Sequence, residues 1–370
     1  MGPTRRNGGY ARPTPAKKDG CSRSRFSEHS FTDSRCLLMT CESKQTHLKE
    51  QVMLVSELNR NRRIGTEFEF VLPQIGTGTG DDVRRTLAEV LTANGLPTVA
   101  RSYSHRPVPA GAVLAVEYDG SVRGESRYRG IKWQSVELKT KILSGIDEWE
   151  SIVPKALKIC KYLGGRVNIS TGHHVHISMP EVKESPTAFR SLYNTIHRFE
   201  PLIYGLVAES RRTGHYARPM LDQPALLNGC KTLSAMSTAL ARHPRTNGFN
   251  VIHLFDSDPR WESRYHGGTL DPIKARHWLR FMLRISDHST MRVCKAAKSQ
   301  HPNNRESIDK MLVTLGLKVN SRVYAQVSPE MRDTGKFLLR RWKELNGDQE
   351  HSLSRSRRVS ETIEPAAMAC

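Results

Sequence analysis

The sequence predicts an α+β domain: an antiparallel or mixed sheet, polar on one face, with helices packed behind the other. Three observations carry this expectation. Several segments alternate apolar and charged residues with period two, the mark of strands with one buried and one polar face. The charged residues on them are Glu, Asp and His, poor strand formers on a buried face, and their repetition in phase implies strands lining one polar cavity. Neighbouring strand segments are joined by short links, and the intervening helices follow no dinucleotide-fold rhythm, which favours antiparallel or mixed pairing.

Residues 1–60 are rich in Arg, Ser, Gly, Pro and Thr. They are expected to form a disordered basic tail, or to be sequence upstream of a start at Met39 or Met53. The first strand is 64–71, with Glu67 and Glu69 on one face and Phe68 and Phe70 on the other. Asp81 to Asn94 carries Val83, Leu87, Val90 and Leu91 at helical spacing, and Gly95 is a natural stop. Strands 98–103, 111–118 and 131–142 follow; the second runs into Asp119-Gly120-Ser121, and the third holds Glu137 between Val136 and Leu138. A helix over Asp147 to Leu163 contains Pro154, as a kink or a late start, and ends at Gly164-Gly165.

Strand 173–178 turns His174 and His176 to one side and His173 to the other. Pro186 to Glu209 is a helix with Phe189, Leu192, Tyr193, Ile196 and Phe199 along one side and Pro201 as a kink. The stretch 249–265 reads as two strands, the second placing Arg260, Glu262 and Arg264 two apart. Asp271-Pro272 begins a helix to about Ser286, Asp as N-cap and Pro at the first helical position. The tract 303–345 is further helix, so the ordered domain spans 61–347, and 348–370 is a second tail.

Composition narrows the function. No run of about 18 apolar residues exists, so no membrane span is expected, and the basic amino terminus lacks the apolar stretch of a secretory signal. The seven cysteines show no CxxC or zinc-ribbon spacing, which fits free thiols in a reducing cytoplasm. The net charge of +20 admits nucleic-acid binding or a basic pocket for phosphate and carboxylate groups. No basic helix, zinc finger or aromatic RNA-binding signature accompanies the charge, so a nucleic-acid partner is not expected.

Five motifs occur in order: Gly65-Thr66-Glu67-Phe68-Glu69, Asp119-Gly120-Ser121, Glu137-Leu138, Gly172-His173-His174-Val175-His176, and Glu262-Ser263-Arg264 followed by Gly268-Thr269-Leu270-Asp271. Over about residues 64–285 this series resembles the amidoligase branch of the glutamine-synthetase-like carboxylate–amine ligases. The resemblance implies a glutamine-synthetase-like catalytic domain with a curved sheet. It makes Glu67, Glu69, Asp119, Glu137, His174 and Glu262 ligands of divalent ions, Mg²⁺ or Mn²⁺. It places His176 near the phosphates of ATP, and Arg260 and Arg264 on phosphate and reacting groups. Arg212 and Arg218 resemble a loop that brings more positive charge, and His173 falls on a variable position.

The implied chemistry explains these residue types. Joining a carboxylate to an amine in water is uphill, so ATP first phosphorylates the carboxylate. Oxygen-rich ligands suit magnesium or manganese, and ions with arginines neutralise the transferring phosphoryl group. The substrates are expected to be an amine and a carboxylate on a small molecule, a peptide or a protein.

Plainer readings stand beside each motif: an edge strand for Glu67 and Glu69, hydrogen-bonded sheet histidines for His174 and His176, a hairpin turn for Asp119-Gly120, and ion pairs for Glu137 and for Glu262 with Arg264. As whole-protein alternatives, a metallohydrolase could use the His/Glu cluster, or a basic scaffold could bind nucleic acid. Two departures from the family pattern stand out. Lys139-Thr140-Lys141 replaces a Ser/Thr-Pro pair, and Ser263 replaces an apolar residue, which points to an exposed strand back.

Overall fold

The computed structural model describes residues 57–74, 78–104, 106–124, 130–220, 224–319 and 326–361, with backbone alone for 224–226 and 348–361. The expected amino-terminal tail lies almost wholly outside these residues, as do 362–370. In chain order the elements are β1 (Ile64–Pro73), α1 (Gly80–Ala93), β2 (Thr98–Ala100), β3 (Leu114–Glu117), β4 (Trp133–Thr140), α2 (Ile146–Tyr162), β5 (Gly172–Ser178), α3 (Glu181–Glu184) and α4 (Pro186–Gly205). They continue with α5 (Glu209–Arg212), α6 (Pro224–Gly229), α7 (Leu233–Ala239), β6 (Phe249–Asn250), β7 (Arg260–Gly267), α8 (Pro272–Met291), α9 (Arg305–Thr314) and α10 (Pro329–Glu361).

The strands form one open mixed sheet in the order β2-β3-β4-β1-β5-β7-β6. Only β2 and β3 pair in parallel; the other neighbours are antiparallel. The α+β expectation therefore holds. The first strand of the sequence is central, between β4 and β5, so its carboxylates stand in the middle of the sheet.

The opposite face carries the apolar half of each alternation. Phe68, Phe70, Val136, Leu138, Val175, Ile177 and Trp261 are buried there, in one core with Trp149 of α2, Phe189 and Tyr193 of α4, and Phe281 of α8. Fully burying side chains of this size stabilises the fold by roughly 1.5–3 kcal/mol each.

Local signals set the helix ends. Thr79 and Asp82 form a reciprocal capping box at the start of α1. Asp271 accepts from Ile273 N and Lys274 N, and Pro272 takes the first helical position, as its sequence predicts. Pro154 does not delay α2, which begins at Ile146 and runs through it to Tyr162. Just before it, Gly145 has φ 153°, and a side chain there would collide with the Arg60 carbonyl, so only glycine fits. The expected helix to Glu209 ends instead at Gly205, and the short α5 follows. Helix α10 runs on to Glu361, into the stretch expected as a tail, where Arg and Leu are good helix formers.

Beneath the sheet, the carboxyl group of Glu200 accepts from Met220 N at 3.0 Å and from the Tyr265 hydroxyl at 2.7 Å. Burial pushes its pKa up to about 7. Between about pH 4.5 and 7 the folded state therefore holds a proton that the unfolded chain releases. This contribution to stability is present below the unfolded pKa and is lost as pH rises through 7. Glu200→Gln should thus gain stability relative to wild type as pH rises from 4.5 to 7.5. Urea unfolding of both proteins across that range checks it, and a constant difference would contradict it.

Candidate active site

The register lines up the charged residues in three rows across the polar face. In the first row Glu117, Glu137 and Glu69 are opposed on β3, β4 and β1. Lys139, Glu67 and His174 form the second, on β4, β1 and β5. The third pairs His176 of β5 with Glu262 of β7, which in turn faces Asn250 of β6. Six strands thus bring polar side chains to one face of the sheet.

His174 is the hub. Its Nδ1 lies 3.1 Å from Glu67 and 3.5 Å from Glu262, and its Nε2 lies 3.6 Å from Glu69. His176 Nε2 is 3.3 Å from the other oxygen of Glu67. Glu69 accepts from Gly172 N at 2.6 Å. A Cβ at Gly172 would stand 3.1 Å from that carboxylate and 2.6 Å from His174 Nε2, so the glycine gives both groups their space. Glu262 accepts from Asn250 at 2.7 Å and pairs with Arg264. Asp119 accepts from Ser121 N at 2.6 Å, so it does form a turn, yet one of its oxygens also reaches the Glu69–Glu137 pair.

Burial and neighbouring charge act together here. Burial opposes ionisation of Glu67, but His176 and His174 outweigh it and hold the carboxyl well below its ordinary range. Glu137 goes the other way: burial and repulsion from Glu67 raise it well above, despite Lys139. His176, buried beside Glu67 and Glu262, is raised. Such opposed shifts within one cluster make it a candidate functional centre.

Two residues here were not among the sequence candidates. Glu117 is fully buried and accepts from Arg101 at 2.6 Å and from Ser104 N at 3.0 Å. Arg211, 4% exposed, donates to the Arg264 carbonyl at 2.7 Å, and its positive charge acts on Glu69. Alternation could have found Glu117, two residues before Asp119. Nothing in the sequence separates Arg211 from its neighbour.

The expected positive loop therefore needs correction. Arg212 turns back onto the Val207 and Gly205 carbonyls at the end of α4, and Arg218 is exposed beside His215. The four-residue helix α5 aims position 211, not 212, at the sheet. Arg260 lies on the rim, near Asp256 and the Asp258 carbonyl. His173 stacks on Phe68 with ring centroids 4.3 Å apart, on the helix-covered face as its phase predicts. Ser263 is fully buried on that face rather than exposed, because β6 and the helices cover it.

Lys139, a departure from the motif, stands inside the cluster. Its ammonium is 3.0 Å from Glu137, 3.2 Å from Glu117 and 4.0 Å from Glu67, with the Tyr103 ring centroid at 5.0 Å. Removing one member of a buried charged group leaves the others uncompensated. Lys139→Met should therefore melt at a lower temperature than wild type in EDTA, and Mn²⁺ should restore more of the loss than it adds to wild type. Thermal unfolding with and without Mn²⁺ checks this; equal gains in both proteins would refute it.

Three overlapping groups could each hold a cation: Glu67, Glu137 and His174; Glu67, His176 and Glu262; Glu69, Asp119 and Glu137. In each, the ligand atoms lie within 4.8 Å of one another. Without an ion, Glu137 Oε2 is met by the Lys139 ammonium at 3.0 Å and His176 Nε2 by Glu67 at 3.3 Å, so an ion would compete with these pairs. The mixture of carboxylates with imidazole fits magnesium or manganese better than zinc.

Fold and site together define an α+β protein with a carboxylate–histidine centre at the middle of an open sheet, flanked by the buried Arg211 and the half-buried Arg264. The model of the family described as "Putative amidoligase enzyme" matches residues 60–286, and the chain belongs to that family. A search of curated proteins gave no match. Among solved structures, one described as "Crystal structure of novel glutamine synthase homolog" is similar at a TM-score of 0.39 and 13% identity, over 82% of this chain and 71% of that one.

Proposed function

We propose that this protein is an ATP- and divalent-metal-dependent ligase that joins a carboxylate to an amine through an acyl phosphate. The observation that carries this reading is the convergence of Glu67, Glu69, Glu137, His174, His176 and Glu262 on one face with Arg211 and Arg264 beside them. A bound divalent ion would neutralise phosphate oxygens there, held by the three donor groups.

The chain's own residues do the rest. Glu262 fixes the guanidinium of Arg264, and Arg211 is buried behind it, so positive charge is preorganised before any anion arrives. Arg260 extends that charge to the rim. His176, 3.3 Å from Glu67 and opposite Glu262, presents its imidazole toward the phosphates. In the reaction a carboxylate oxygen attacks the γ-phosphorus of ATP and the bond to ADP breaks. The amine nitrogen then attacks the acyl carbon and gives up its proton, and inorganic phosphate leaves with the electron pair of the C–O bond.

The test incubates the protein with ATP, Mg²⁺ and a mixture of amines with carboxylic acids and peptides, followed by mass spectrometry. The expected product has the mass of acid plus amine less one water, with ADP and phosphate released in equal amounts. Cleavage of amides without ATP would instead make the centre hydrolytic and overturn the proposal.

A further inference from the structure

At the end of the sheet where β5 begins and β7 ends, a cavity of about 440 Å³ is lined by residues outside the carboxylate cluster. The end of α2, the loop after it, the end of β7, the first turn of α8 and the last helix bring Lys161, Arg166, His266, Lys274 and Arg341 to its wall, Arg341 also pairing with Glu344 at 3.4 Å. The single carboxylate among its lining residues, Asp271, is already engaged as the N-cap of α8, accepting from Ile273 N at 2.9 Å. Among the described residues, Lys161 and Lys274 enter no ion pair.

A bulge explains how β7 serves both sites. His173 faces His266 and Val175 faces Ser263, so two steps on β5 match three on β7. The extra residue turns His266 away from the phase of Glu262 and Arg264, against His173 and Trp278. Burial above all, with smaller contributions from Arg341, Arg211 and Lys274, pushes the His266 pKa down to about 4.

Only a thin wall separates this cavity from the carboxylate centre. Gly267 and Gly268 line it, and a Cβ at Gly268 would collide with the Thr171 side chain and stand 2.9 Å from the Glu69 carbonyl. A Cβ at Gly267 would stand 3.6 Å from Cγ of Arg211, whose other end reaches the Arg264 carbonyl. The cavity is thus a neighbour of the proposed reaction site, connected through the side chain of Arg211.

We infer that this cavity binds the non-reacting acidic side chains of a peptide substrate, an inference that rests on the ligase reading for the word substrate but not for the binding. The cations supply charge complementarity to carboxylates. Val207 and Leu270 add apolar wall, which suits the methylenes of Glu or Asp side chains and has no use for a bare phosphate. The volume admits one or two side chains, so the rest of the peptide lies outside, next to exposed Tyr162 and Val167.

The test measures binding of fluorescent hexaglutamate to the full chain by anisotropy, without ATP or metal, at 150 mM salt. Hexaglutamine controls for the backbone. Lys155→Glu, an exposed charge reversal on α2 away from the cavity lining, controls for the general positive charge of the surface. Hexaglutamate should bind at least tenfold more tightly than hexaglutamine. Lys274→Glu with Arg341→Glu should lose at least tenfold, the milder Lys274→Gln with Arg341→Gln several-fold, and Lys155→Glu less than twofold. Thermal melts of each variant confirm folding. Equal loss in Lys155→Glu, or no loss in either double variant, would overturn the inference. Displacement by inorganic phosphate at concentrations where acetate does nothing would make it a phosphate site and also overturn the peptide assignment. Wild-type protein that binds hexaglutamate but never turns over ATP defeats the ligase reading and leaves the anion site standing.

Discussion

Glu67→Gln is expected to reduce ATP turnover by on the order of 10²–10³-fold or more, the loss typical of removing one preorganised charge from a transition state. The residue sits on the central strand, touches His174, His176 and Lys139, and belongs to two of the three cation groups. Glutamine keeps the size and the hydrogen-bonding oxygen, so the change removes charge and little else. The loss of negative charge should also return His176 toward its ordinary pKa, since Glu67 is the principal group raising it against burial. Steady-state ATP hydrolysis with saturating Mg²⁺ reads the first effect. Turnover within about threefold of wild type would remove Glu67 from the chemistry.

Arg62→Met should be the most damaging single change to stability outside the site, at about 3–5 kcal/mol. Arg62 is buried with Asp287, which it meets at 2.9 Å, and it also reaches Glu181 at 2.8 Å and the Ser178 carbonyl at 2.8 Å. Asp287 in turn accepts from Asn59 N at 2.9 Å. The network ties the segment before β1 to the end of β5 and to α8. Methionine fills the volume but leaves the Asp287 carboxylate buried beside no cation. Arg62→Met with Asp287→Leu should recover a good part of the loss, because removing both charges costs less than orphaning one. Urea unfolding of the single and double variants checks both statements. A single-variant loss under about 1 kcal/mol would place this pair with ordinary surface ion pairs.

Much of this architecture is legible in the sequence because period-two alternation is a local property. Glu67 and Glu69 against Phe68 and Phe70, or His174 and His176 against Val175 and Ile177, declare their faces without knowledge of any partner strand. Strong caps such as Asp271-Pro272 are local too. Register is not. Nothing within β4 says that Lys139 will oppose Glu67, so a residue two positions from Glu137 on the same face reads as a departure from a motif rather than as a member of the cluster. The bulge that sends His266 to the helix side depends on pairing between β5 and β7, and alternation alone places it with Glu262 and Arg264. Arg211 and Arg212 differ by about 100° of helix rotation, which a four-residue helix gives no apolar pattern to fix. The short helices α6 and α7 went unanticipated for the same reason, being too brief to show a period.

Lys139 has a further consequence. An ammonium held by Glu137 and Glu117 gives the resting site one fixed cation, so fewer of its carboxylates need an ion to be neutralised. Glu67 and Glu137 each belong to two of the three donor groups, which is where ions are expected to contribute. The basic cavity behind Gly267 and Gly268 has a different balance of charge, since the one carboxylate in its lining, Asp271, is engaged as a helix cap.

The most direct measurement of the central claim is a Mn²⁺ titration of the full chain followed by electron paramagnetic resonance. Wild type should show saturable binding that tightens with a non-hydrolysable ATP analogue. Glu67→Gln and Glu262→Gln should each weaken it at least tenfold, while Lys274→Glu leaves it unchanged. Absence of saturable Mn²⁺ binding to the wild-type protein, or equal affinity in Glu67→Gln, would contradict the assignment of this face as a divalent-metal and nucleotide centre.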